Sequence, residues 1–223
     1  MTILAVDTSG SFCSVALSAP SGVVSLSSGG GNDHFEQLPR MVSELFERAG
    51  LEPSVLKEIR VGLGPGSFTG LRIGMSFVKG LSWSLRVPVV GCSSFAAVAA
   101  AAFARNASAE SVVVIADARR EEVFAGRYAR TTGVDVEPCI VPVSALAGDP
   151  WCVNDPGVVV VSPQRDFSVI GVQPGVEGES AKGLLLLPSV GNPTFLVEEI
   201  SVIEPTYLRA VAAKTIAERK IGA

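Results

Sequence analysis

The sequence predicts an α/β protein of two βββαβα-type lobes, the second reduced, and three observations carry that prediction. Short apolar runs bounded by turn residues alternate with longer stretches at helical spacing, the pattern of sheets covered by helices. The first three runs follow one another through turns short enough for hairpins, so the chain opens antiparallel, unlike a doubly wound nucleotide-binding domain. The order then returns, because Val112 to Ala116 ends in Asp117 just as Ile3 to Val6 ends in Asp7.

Taken in order, Ile3 to Asp7, Phe12 to Leu17 and Gly22 to Leu26 read as strands. Asp33 is placed to cap a helix that runs to about Ala49 and stops at Gly50, with Phe35, Leu38, Val42, Leu45 and Ala49 on one face. A strand at Ile59 to Leu63, a glycine-rich loop, a helix at Thr69 to Leu85, a strand at Val87 to Gly91 and a helix at Phe95 to Arg105 complete the first unit. In the second, strands are expected at Val112 to Ala116, Glu122 to Tyr128, Cys139 to Val143 and Val158 to Val161, with a poor helix from Leu146. Ser162 to Pro205 is rich in Gly and Pro and has little periodicity, and the Ala- and Lys-rich tail 208–221 reads as a helix returning to the first half. This is the plan of the actin–hexokinase–Hsp70 (ASKHA) fold, with residues 1–92 as the first lobe and 93–207 as the second. A generic α/β sandwich is the alternative.

Composition narrows the function. With a net charge of −4 and a pI near 5.1, the chain lacks the broad basic surface of an autonomous nucleic-acid binder. No run of about 18 apolar residues argues for a membrane span, and the start MTILAVDTSG does not read as a signal peptide. Cys13, Cys92, Cys139 and Cys152 form no CxxC pair and His34 is the sole histidine, so no zinc site is expected and the cysteines suit a reduced, cytoplasmic protein.

The loops carry the candidate chemistry. Asp7, Thr8 and Ser9 offer a carboxylate, two hydroxyls and turn amides, and Gly66 and Ser67 lie in GPGSFTG at the start of a helix, where an anion is favoured. Tight turning alone also explains these glycines. The loop is not a Walker motif, since Leu71-Arg72 follows Gly70, and it misses the dinucleotide fingerprint by one residue. In the second unit the matching hairpin reads DARREEVF, where two arginines and two glutamates replace the small residues a phosphate grip needs. A half-site is therefore expected, without catalysis. Within GLRIGMSFVKGL, Gly70 and Gly74 form a small stripe for close backbone approach, and Leu71, Ile73, Met75, Phe77, Val78, Leu81 and Trp83 surround most of the helix. Core packing explains that pattern; a partner surface made by this helix and the one before it is the sharper reading. On that reading Gly74→Leu blocks assembly and spares the fold.

ILAVDTSGSFCSVAL, HFEQLPRMV, GPGSFTGLRIGMSFVKGL, PVVGCSSFAAVA, DARREEVFAGRY and PTYLR, in this order, resemble the bacterial TsaB (YeaZ) family. The resemblance implies a non-catalytic subunit of the machinery that makes threonylcarbamoyladenosine at position 37 of tRNAs reading ANN codons. It implies pairing with a catalytic TsaD-type subunit through the first two helices of each, a TsaE-type ATPase, and homodimers through a related surface. tRNA is then met only through the complex. No cofactor is required of this chain, and ATP or ADP has a place at the joint interface. The candidate partner residues are Phe35, Leu38, Val42, Leu45, Gly70, Arg72, Gly74, Met75 and Lys79; Asp7, Thr8, Ser9, Gly66 and Ser67 are candidates for a vestigial or interface nucleotide contact. Glu121 stands where the family usually has glycine, and residues 147–201 match nothing recognisable. The alternative from another class is a stand-alone ATP-dependent small-molecule kinase.

Overall fold

The computed structural model of the chain describes residues 1–28, 34–155, 157–162, 178–189 and 191–208, with the side chains of His34 and Phe35 excepted. Its first sheet gathers β1 (Ile3–Asp7), β2 (Ser14–Ala19), β3 (Gly22–Ser27), β4 (Glu58–Gly62) and β5 (Val89–Cys92) in the order β3-β2-β1-β4-β5. β1 pairs antiparallel with β2 and parallel with β4. The second sheet repeats the arrangement with β6 (Ser111–Arg119), β7 (Glu122–Ala129), β8 (Gly133–Pro142) and β9 (Val158–Val161), ordered β8-β7-β6-β9. It lacks a counterpart of β5 among the described residues, which is the expected reduction.

Alternation along the strands decides what covers each face. Leu4, Val6, Val15 and Leu17 point into a core shared with α1 (His34–Ala49) and α2 (Phe68–Leu85). Ala5 and Ala16 point the other way, and their small size lets α3 (Ser94–Arg105) and the short α4 (Ser180–Leu186) lie close beneath the sheet. α3 and α4 meet where a side chain on Gly183 would strike the Ala97 backbone. α3 also serves the second sheet, because Phe95, Val98 and Ala102 pack on Val112, Val114 and Ala116. An Ala-rich helix suits a place between two sheets. The far face of the second sheet is covered by Leu146, Trp151 and Val153. The poor helix expected from Leu146 is instead a single 3-10 turn at Val143–Ala145.

Two elements went unforeseen. α4 and β10 (Thr194–Phe195) fall among the residues assigned to the second lobe, 93–207, yet α4 packs on the first sheet and β10 pairs with β5. The agent that holds α4 is Arg60 on β4. Its Nη1 donates to the carbonyls of Leu184 at 2.9 Å and Leu185 at 3.3 Å, and also to that of Leu187. Nη2 donates to Ser189 Oγ and Nε pairs with Glu58. A buried cation thus satisfies the open carbonyls at a helix C-terminus. The predicted cap Asp33 and the predicted tail helix, beyond Leu208, lie outside the described residues.

Candidate partner-binding surface

The glycine-rich loop and the turn after β1 come together, as the sequence suggested, but they fill each other. Asp7, Thr8 and Ser9 are buried. Asp7 Oδ1 accepts the Ser9 amide at 2.8 Å, the Thr8 hydroxyl donates to the Gly70 carbonyl at 2.7 Å, and the Ser67 amide donates to the Ser9 carbonyl at 2.7 Å. A Cβ at Gly66, Gly70 or Gly74 would lie closer than 3.0 Å to Ser9 O, Thr8 O or Thr8 Oγ1 respectively. Ser67 caps α2 by accepting the Gly70 amide at 3.1 Å. The loop also receives Ser94, whose amide donates to Gly64 O, and Thr206, whose amide donates to Leu63 O. GPGSFTGLR therefore holds the chain's own first turn.

Burial raises the neighbouring thiols. Cys13 is pushed up to about 12 by burial and by the nearby Asp7 carboxylate, and Cys92 to about 11, mainly by burial.

The second hairpin repeats the first in outline. Asp117 Oδ1 accepts the Arg119 amide at 2.7 Å, as Asp7 does for Ser9. Arg119, Arg120 and Glu121 then run in left-handed backbone, with φ of 70°, 59° and 59°. Glycine suits such a conformation, which accounts for the expectation of glycine at 121.

Most of the predicted interface residues belong to the core. Leu38, Val42, Leu45 and Met75 are all buried against the first sheet, and Gly70 and Gly74 are filled by Thr8. The stripe on α2 faces inward, so the expectation that Gly74→Leu spares the fold is corrected. The side chain of Phe35 lies outside the described residues. Arg72 is exposed, while Lys79 is half-buried and donates to Ser201 O at 3.0 Å.

On the outer side, α1 and α2 leave a groove of about 1020 Å³. Its walls are Pro39, Phe68, Ile73 and Phe77, and Glu36, Arg40 and Arg72 are its charged lining. Arg72 stacks on the Phe68 ring at 3.9 Å and donates through Nε to the Tyr207 hydroxyl at 3.3 Å. Pro39, Phe68 and Tyr207 were missed by sequence reasoning. Ile73 and Phe77 were visible as an i, i+4 apolar pair opposite the buried Leu71, Met75 and Val78, a signal that pointed to an outward face. Among the described residues no three of His, Cys, Asp and Glu gather as a metal cluster, and no helix is long and apolar enough to cross a membrane.

A β3-β2-β1-β4 sheet repeated across a shared helix, each copy with an aspartate near the end of its first strand that accepts the amide two residues on, defines a protein of the actin–hexokinase–Hsp70 class. A family model described as TsaD, tRNA N6-adenosine threonylcarbamoyltransferase, matches residues 26–168, more than half of the chain. The chain belongs to that family, in its TsaB (YeaZ) branch. Proteins named tRNA threonylcarbamoyladenosine biosynthesis protein TsaB are similar to it. That of Escherichia coli is 36% identical over 138 residues, 58% of this chain and 56% of the relative. That of Haemophilus influenzae is 35% identical over 130 residues, 58% of this chain and 55% of the relative. The matched region thus spans a little over half the length of these curated relatives. The solved structure of YeaZ from Pseudomonas aeruginosa superposes with a TM-score of 0.73 at 27% identity, covering 93% of this chain and 99% of that one. A second Pseudomonas aeruginosa structure, described as similar to peptidase YEAZ, gives a TM-score of 0.76 at 29% identity over the same shares.

Proposed function

We propose that the chain is a non-catalytic scaffold subunit that pairs with a TsaD-type subunit, joined by a TsaE-type ATPase, for threonylcarbamoylation of adenosine 37 in tRNAs reading ANN codons. The observation that carries this reading is the division of labour on α2: its inner face is filled by Thr8, and its outer face forms an open apolar groove with α1. The names of the similar proteins support the pathway. The loops support the lack of catalysis, since the first turn and the glycine loop occupy each other and bulky residues line the second hairpin. ATP or ADP, if engaged, is held at the joint interface and not by this chain alone.

Reconstitution tests it. With TsaD- and TsaE-type subunits, ATP, threonylcarbamoyl-adenylate and tRNA, modification should require this chain, which should have no ATP turnover alone. ATP turnover by the isolated chain, without complex formation, would favour a stand-alone kinase and overturn the reading.

A further inference from the structure

We propose that the chain from 178 to 189 and from 191 to 208 is a strap that fixes the two lobes at one angle, so that the cleft between them neither opens nor closes. The inference goes beyond the scaffold reading and does not depend on it.

A chain of two lobes is by default free to hinge, and closure about a ligand is a common use of that freedom. Here the late segment removes it by wrapping the first lobe and ending on the second. The strap starts beside β2, where the Ser14 hydroxyl donates to the Gly178 carbonyl at 2.7 Å and accepts the Ala181 amide at 3.2 Å. α4 then lies under Ala5 and Ala16, with its end held by Arg60. Around the edge of the sheet, Pro193 O accepts the Gly91 amide and β10 pairs with β5. On the opposite face a 3-10 helix, Val197–Val202, places Ile200 in the core, and Ile203 follows it there. The chain then returns to the cleft. The Thr206 amide donates to Leu63 O at 2.7 Å, and Leu208 packs on the second lobe's cluster, which includes Phe95 and Tyr128. Three sides of the first lobe are thereby enclosed.

The strap also grips the helix that the lobes share. α3 lies between the two sheets with α4 alongside. At Gly183 the two helices meet backbone on backbone, since a Cβ there would fall 1.8 Å from Ala97 O. Glu179 pairs with Arg105, at the end of α3, at 3.2 Å. A hinge motion would have to shear α3 against one sheet or against α4, and close-packed contacts hold one arrangement instead of deforming continuously. Leu208 adds a second crossing between the lobes beside that of α3, and two crossings resist a swing that one permits. The anchor is chemically committed as well. A buried guanidinium is kept only where it is well hydrogen-bonded. Apart from Glu58, every partner of the Arg60 side chain among the described residues lies on the strap.

The test is the distance between the lobes, read by double electron–electron resonance on the full chain. Spin labels go on Val23→Cys of β3 and Val134→Cys of β8, both exposed, in a chain carrying Cys139→Ala and Cys152→Ala. One narrow distance is expected, unchanged by saturating ATP with Mg²⁺. Arg60→Met should lose that single distance and give a broad distribution. Gly74→Ala, which loads the first lobe away from the strap, should keep it narrow, and this separates release of the strap from general loosening. Should Arg60→Met not fold, Ser14→Ala, which removes only the hydroxyl holding Gly178 and Ala181, decides the question by the same readout. The proposal is overturned if the wild-type chain shows two distances or shifts with ATP. It is equally overturned if the strap variant exchanges its 184–187 amides faster while the distance stays as narrow as in wild type, since α3 alone would then set the angle.

Discussion

The Thr8 hydroxyl donates to the Gly70 carbonyl at 2.7 Å and stands where a side chain on Gly74 would have to be. One residue on the turn after β1 thus accounts for two glycines inside α2, its carbonyl for Gly70 and its hydroxyl for Gly74, each of which costs a helix about 1 kcal/mol against alanine. The helix gains a close seat against the turn, and its other face remains outside.

Gly74→Ala should therefore destabilise the chain by about 1–3 kcal/mol through overpacking. Thr8→Ala removes the obstructing oxygen, so the double variant should lose less than the sum of the two single changes. Urea denaturation of the four proteins measures this; strict additivity would contradict the contact.

Gly80 is the opposite case. No heavy atom lies within 4 Å of the position its Cβ would take. Gly80→Ala should gain about 1 kcal/mol of helix stability and raise the melting temperature by about 2–4 °C. No gain would contradict the open space beside Gly80.

Arg60→Met should cost about 3–5 kcal/mol, because Glu58 is left buried without its cation and the α4 carbonyls lose their donors. Hydrogen exchange should show the loss first at 184–187. Uniform loosening of both sheets would contradict a local clasp.

At the second hairpin, Glu121→Gly should raise stability by about 1 kcal/mol, since it relieves a left-handed residue at φ 59°. A fall in melting temperature would show that the glutamate side chain contributes more than its backbone costs.

Cys13 supplies the pH dependence. Its thiol is pushed up from 9.0 to about 12 in the folded chain, so above pH 9 the unfolded chain loses this proton first. The contribution is fully present below about pH 9 and declines as pH rises towards 12. Cys13→Ala should flatten that decline. In the native chain near pH 8, a thiol reagent should modify the half-buried Cys139 and Cys152 and leave the buried Cys13 and Cys92 until unfolding.

The first lobe was legible almost element by element, because its strands alternate and its helices have clear starts and stops. β9 falls at the predicted Val158–Val161, and α1 and α2 end at the predicted Ala49 and Leu85. β2 begins at Ser14 and not at Phe12, since the turn that seats on the glycine loop extends further than an ordinary hairpin turn. β8 begins at Gly133, ahead of the expected Cys139, because Val134 and Val136 alternate with acidic residues along a half-exposed strand. α4 was illegible: seven residues make too short a periodic segment, and what fixes them is Arg60 and Ala97, far away in sequence.

By itself, then, the sequence determined the two-lobed order, the aspartate near the end of each first strand, and the family, because these rest on local periodicity and on spelled-out motifs; β6 runs two residues past Asp117, to Arg119. Which side of α2 is inside was decided only by the tertiary structure. A helix apolar nearly all round carries no local sign of its buried face, and here a threonine sixty-odd positions earlier supplies it. That contact turns Met75 and both glycines of α2 inward and leaves Arg72, Ile73 and Phe77 along the open groove.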